Sequence, residues 1–187
     1  MIQTKEPGGT SAGTRLRDLL LSAEYDLAAW TEAFLFEADR CETYAKVVVP
    51  ALEDGRVVIS DRNLYGTVAY QGFGSGLAIE QIDQLTTLAT AGVYPDRVLL
   101  LDLEPSLAVN RLMLQAASDK FDKLGSAYQA RVRAGYLFAA GRDPGIAEVL
   151  DAALPAAVVT KTAQILIGRL LATRFPHLAP KSSPDES

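Results

Sequence analysis

The sequence has few of the residue types that most often mark a reactive site. It holds one cysteine (Cys41), one histidine (His177) and one tryptophan (Trp30). A single cysteine excludes an internal disulfide and a zinc site built on cysteines, and it fits a reducing, cytoplasmic setting. His177 lies in RFPHLAPKSSPDES near the C-terminal end. It reads as a solvated tail residue rather than as the base of a Ser-His-Asp arrangement. No run approaches the roughly 20 apolar residues of a membrane span. No basic stretch leads into an apolar one at the start, as a secretory signal requires. A formal charge of −5 argues against a general nucleic-acid binder. It leaves room for a local basic pocket that takes a small anion. Gly72, Gly74 and Gly76 do not make GxGxxG, and GxxxxGK[ST] occurs nowhere. Neither a dinucleotide fingerprint nor a phosphate-cradling P-loop is visible.

What is present reads as one globular domain. Hydrophobic residues make up 49% of 187 and charged residues 22%, enough to build a sizeable core. The domain is expected over residues 1–175, with a disordered polar tail over 176–187. RVVIS (56–60), RVLLLDL (97–103) and AEVLDA (147–152) have the short aliphatic pattern of buried parallel strands, and residues 2–4 fit the stub of another. Helical patterns lie between them. SAGTRLRDLLLS is capped by Thr10 or Ser11. A long helix over 27–52 should bend or end at Pro50. Further helices are expected at 79–91, from Pro105, at 123–140 and at 155–173. Strands alternating with helices predict an α/β fold with a parallel sheet. In such sheets ligands bind beyond the carboxyl ends of the strands. Asp61, Asp102 and the loop EPGGT are placed there.

Three stretches could carry chemistry. In Asp61-Arg62 the carboxylate can hold a metal-bound water and the guanidinium can grip a phosphate; a strand-end salt bridge is the plainer reading. In FEADR, Phe36 and Arg40 stand four apart on one helical face. The ring can stack on a base while the arginine donates to its carbonyl edge, and a core Phe beside a surface Arg is the alternative. TVAYQGFGSG (67–76) supplies hydroxyl and amide groups before a glycine-rich turn, or is simply a flexible loop after a short helix.

Together, TKEPGGT, FEADR, VVISDRNLYGTVAYQGFGSGL, PDRVLLLDLEPSLAVNRL and DKFDKLGSAYQARVRAGYL occur in the order and at the spacing of thymidylate kinases. The chain resembles that family over residues 2–172. The resemblance implies a P-loop nucleoside monophosphate kinase fold, a parallel sheet flanked by helices, and transfer of the γ-phosphoryl group of ATP to dTMP with Mg²⁺. By position, Phe36 matches the residue stacking on thymine, Arg40 the one reaching O4 and Thr67 the one bonding the base near N3. Tyr70 matches the tyrosine that excludes a 2′-hydroxyl, and Gln71 completes its motif. Glu6, Pro7 and Gly9 match the loop along the sugar-phosphate. Asp61 and Arg62 match the pair serving the Mg²⁺ water and the monophosphate. A homodimer packed through helices, binding neither nucleic acid nor membrane, is also implied.

The sequence departs from that family in places. The strand, P-loop and first helix that precede EPGGT in thymidylate kinases are not in it. That strand is central in the family sheet, so the expectation is that an upstream segment or a second polypeptide supplies it. Asn63 follows Asp-Arg, and Ser75 stands where arginine is common. The expected lid at about 111–124 begins with Arg111 but is otherwise neutral. DRFE has become DKFD, leaving Lys120 as the candidate catalytic cation, without the planar fork of arginine. A catalytically inactive nucleotide-binding member and a kinase for another nucleoside monophosphate are the alternatives.

Overall fold

The computed structural model describes residues 1–112, 120–121 and 124–177. Strand β1 (Ile2–Lys5) pairs in parallel with β2 (Val58–Asp61), with Ile2 opposite Val58 and Lys5 opposite Asp61. Strand β3 (Val98–Asp102) pairs in parallel with β4 (Ala147–Asp151), with Val98 opposite Ala147. Parallel pairing needs a crossover between partners, and helices fill both. The expected strands, including the stub at the start, are thus present. Among the described residues they form two separate two-stranded ladders rather than one.

The first crossover carries α1 (Ser11–Leu21), α2 (Ala29–Thr43) and α3 (Val49–Glu53). Thr10 caps α1, its Oγ1 accepting from the Gly13 amide at 2.9 Å. Between α2 and α3 the helix widens to a π-helical turn over Tyr44–Val48. The break expected at Pro50 therefore falls a turn earlier. Proline has no amide hydrogen and its ring presses on the carbonyl four residues back, so the preceding turn opens to accommodate it.

After β2, α4 (Tyr65–Thr67) runs into a second π-helical stretch, Val68–Gly74. The flexible loop considered for this segment is helical instead. Tertiary packing overrides its glycines. The segment lies against α7 (Gly125–Arg142) so closely that a Cβ at Gly135 would stand 2.7 Å from the Ala69 Cα. Next comes α5 (Ile79–Ala89), and the chain then turns through Ala91 and Gly92, both at positive φ. The core gathers Leu64, Tyr65 and Val68 with Ile82 of α5, Val98 of β3 and Ala139 and Ala140 of α7. Helix α6 (Pro105–Leu112) begins at the expected proline. The rest of the proposed lid falls outside the described residues apart from Lys120, Phe121 and Leu124, as do the Arg111 side chain and the tail from residue 178.

The last helix, α8 (Ala156–Arg174), lies mostly uncovered. It is 19 residues long, and an 18-residue window of it has a mean hydropathy of 1.2 and is 6% buried, so by length and composition alone it could cross a membrane. Ile59 of β2, Leu101 of β3 and Val149 of β4 are likewise exposed.

Candidate functional site

The loop EPGGT is fastened to α2. The Gly8 amide donates to Asp39 Oδ1 at 2.9 Å, and Asp39 is fully buried. Arg17 of α1 donates to the Pro7 carbonyl at 3.0 Å. Gly8 has φ +106°, which glycine adopts without a steric penalty. This anchoring carries Glu6 and Pro7 over the side of α2 that presents Phe36 and Arg40.

Between them lies a narrow, partly open pocket with about 30 Å³ of free space, room for a water or two. Glu6 and Pro7 line it from the loop and Phe36 and Arg40 from α2. Thr67, Tyr70 and Gln71 face it from the helix after β2, and Arg62 from the strand end. Eight residues selected from the sequence therefore meet in one place. Asn63, Gly66, Leu21 and Phe121 complete the lining. Phe121 packs 6.2 Å from Phe36 and edge-on to Tyr70 at 5.5 Å between ring centroids. Its aromatic character in DKFD was the available sign, and sequence reasoning passed over it for the neighbouring lysine.

Arg40 is the electrostatic centre of the pocket. It is 3% exposed. Its Nε donates to Glu6 Oε2 at 2.8 Å, and its Nη1 donates to Thr67 Oγ1 at 3.0 Å and to Glu37 Oε1. Burial alone disfavours its charge, but Glu6 and Glu37 outweigh that and hold it more firmly protonated than usual. Burial pushes the Glu6 carboxyl up from its ordinary range, against the pull of Arg40. A buried ion pair of this kind gives geometric definition more than net stability. Glu6 thus orients the arginine besides facing the pocket. Glu37 was missed by sequence reasoning. Its one sign was its position three residues before Arg40 on the helix.

The remaining candidates lie elsewhere. Asp61 and Gly9 line a separate, open cleft of about 390 Å³ with Thr4, Lys5 and Gly8, at the carboxyl ends of β1 and β2. Asp61 and Arg62 therefore diverge. Arg62 adopts φ +67° and places its guanidinium 5.9 Å from the Tyr70 ring centroid. Lys120 is not beside Asp61. Its Nζ forms an ion pair with Glu32 of α2 at 2.5 Å. Asp102 is held by Arg133 through two bonds of 2.7 and 3.0 Å. The hydrogen bonds from Arg133 hold its carboxyl below the ordinary range, against a smaller effect of burial.

No group of three metal-ligating side chains occurs among the described residues. A single carboxylate in an open cleft still fits Mg²⁺, which takes one or two carboxylates and completes its shell with water and phosphate oxygens. The residues that would cradle a nucleoside triphosphate, a GxxxxGK[ST] loop, are not among those of this sequence.

Comparison with known proteins identifies the family and the fold. The family model described as Thymidylate kinase matches residues 1–163. The thymidylate kinase of Pelotomaculum thermopropionicum is 41% identical over 154 residues, covering 81% of this chain and 71% of that protein. The thymidylate kinase of Ralstonia nicotianae is 43% identical over 170 residues, covering 91% and 82%. The solved structure of thymidylate kinase from Ehrlichia chaffeensis superimposes with a TM-score of 0.69 at 30% identity, covering 88% of this chain and 79% of that one. On the strength of the sequence match and the shared parallel α/β architecture, the chain belongs to the thymidylate kinase family and has the P-loop nucleoside monophosphate kinase fold.

Proposed function

We propose that this protein binds dTMP in the pocket around Arg40 and serves as the acceptor half of a thymidylate kinase, giving dTDP for dTTP synthesis. The observation that carries this is the convergence of Phe36, Arg40, Thr67 and Tyr70 on one cavity. An aromatic face, a base-edge donor, a hydroxyl and a phenol are what a deoxypyrimidine needs for recognition. Arg62 lies at the mouth to take the phosphate, with Asp61 in the adjoining cleft for a Mg²⁺ water. Small-molecule sites occupy roughly 300–1,000 Å³, so this reading requires the pocket to widen when dTMP binds.

The chain's own residues bind and orient the acceptor. Phosphoryl transfer depends on such positioning and on charge stabilisation more than on covalent chemistry. ATP supplies the phosphoryl group, and its cradle has to come from a glycine-rich loop, on this polypeptide or on another, set against the open cleft. The reading includes a homodimer through α2 and α5, whose outward faces carry the exposed Phe34 and Leu88, and a soluble cytoplasmic enzyme without nucleic-acid or membrane partners.

Calorimetry with dTMP, then ATP, then a turnover assay tests the reading. Arg62→Ala should weaken dTMP binding by about tenfold or more, the loss of one charge-assisted contact. An unchanged affinity removes Arg62 from the site. Tighter binding of dUMP or dGMP than of dTMP favours a kinase for another nucleotide. The Lys120–Glu32 ion pair, which occupies the candidate catalytic cation, favours a second reading, a nucleotide-binding protein without catalysis. Binding of dTMP without ATP binding or turnover would support it.

A further inference from the structure

The pocket has a donor–acceptor polarity, and a residue outside its lining sets it. Thr67 Oγ1 receives an N–H from Arg40 Nη1 at 3.0 Å and stands 2.9 Å from Glu37 Oε1. A guanidinium only donates, and an ionised carboxylate only accepts. The one hydroxyl proton of Thr67 therefore points to Glu37, and one lone pair meets Arg40. Only the second lone pair is left for a ligand. Glu37 is 3% exposed. Its Oε1 is fixed from two further sides, by Arg40 Nη1 and by Thr86 Oγ1 of α5 at 3.0 Å.

We propose that Glu37 is a specificity-determining residue. By holding the Thr67 proton it makes the pocket accept a base N–H beside the Arg40 donor, selecting thymine and uracil over cytosine. The inference deepens the monophosphate reading and rests on it. Thymine and uracil present an N3–H donor next to the C4 carbonyl acceptor. Cytosine presents an N3 acceptor next to an amino donor. A lone pair from Thr67 and an N–H from Arg40 match the first pattern and oppose the second at both atoms. Gln71 cannot make this distinction. It is 1% exposed, and its Nε2 meets no acceptor among the described residues. A half-turn of its amide presents either end to either base. Thr67 has no such freedom while Glu37 holds its proton. Without Glu37 the hydroxyl turns and can donate to cytosine N3.

Calorimetry on the full chain with dTMP, dCMP and deoxyribose 5-phosphate provides the test. Glu37→Ala should lower the dTMP-to-dCMP affinity ratio about tenfold, one relieved polar mismatch, and leave deoxyribose 5-phosphate binding unchanged. Glu37→Gln should keep the wild-type ratio, because Arg40 holds the amide oxygen toward Thr67. Thr67→Val should lower the ratio too, and adding Glu37→Ala to it should change nothing further. Loss of dTMP and dCMP affinity by the same factor in Glu37→Ala would mark Glu37 as structural only and overturn the proposal. If Glu37→Ala does not fold, an unchanged ratio in Thr67→Val overturns it instead. A wild-type chain that binds deoxyribose 5-phosphate but prefers neither base also overturns it. One that binds neither dTMP nor the sugar phosphate fails at the earlier step, the monophosphate reading itself.

Discussion

Gly9 has no room for a methyl group. A Cβ there would stand 2.4 Å from Thr4 Oγ1 and 2.9 Å from Thr43 Oγ1. Both neighbours are short, β-branched and stiff, and Thr43 is fully buried, so the loop would have to move. Gly9→Ala is expected to destabilise the protein by about 1–3 kcal/mol, the usual cost of overpacking. Chemical denaturation checks this, and a change under 0.5 kcal/mol, the ordinary scatter of surface substitutions, would show that the loop yields. The resemblance had placed Gly9 along the sugar-phosphate. Its position in the open cleft is compatible with that, but its tight packing is a fact of tertiary structure. Glu37 was hidden for the same reason. Next to Phe36 in the chain it reads as a solvated helix residue. Only the approach of Thr67 and Thr86, 30 and 49 residues away, buries it.

At the scale of elements, α7 and the helix over residues 65–74 set each other's position. Gly135→Ala would drive a methyl group against the backbone of Ala69 and the Phe73 side chain. Replacing helical glycine by alanine gains up to ~1 kcal/mol in propensity. The backbone clash, about 1–3 kcal/mol, outweighs it, for a net loss of up to about 2 kcal/mol. Gly141 on the same helix has nothing within 4 Å of its missing Cβ. Gly141→Ala should therefore stabilise the protein by about 0.5–1 kcal/mol. Opposite signs at two glycines of one helix, read from urea midpoints, test the packing rather than the propensity. Same-sign changes would contradict the close approach at Gly135. The helix over 65–74 was illegible as such because Gly66, Gly72 and Gly74 punctuate it. Its conformation comes from α7, 60 residues on. By contrast, the cap at Thr10 and the start of α6 at Pro105 are local chemistry, and the sequence displayed both.

For the whole molecule, acid stability follows from opposed groups. Asp102 has a depressed pKa when folded, so its contribution is present above the ordinary carboxylate value and is lost as pH falls through the folded one. Glu6 and Asp39 are raised, chiefly by burial. Their contribution is complete below their ordinary values and is lost as pH rises through the folded ones. Removing Arg133 leaves Glu6 and Asp39 in place. Between about pH 5 and about pH 3 the wild type should lose more stability than Arg133→Ala does. Parallel pH profiles of the two would refute a role for this pair. The alternation of strands and helices announced a parallel α/β architecture. The two ladders formed by the described strands are consistent with the expectation that the family's central strand is not among these residues; which strands pair within each ladder was not announced, because lateral strand order depends on contacts far apart in sequence.

That division bears on time as well as on shape. The register sets Ile2 opposite Val58 and Val98 opposite Ala147, so each ladder closes a loop of about fifty residues. The entropic cost of closing a loop rises only with the logarithm of its length, so neither ladder has a head start over the other. Precedence falls to whichever crossover first gathers its own helices. In the second, α7 can dock against both β3 and the helix over 65–74, so it is the natural meeting point of two otherwise separate folding histories. The chain should then open in stages rather than all at once, shedding amide protection in one ladder while the other still holds.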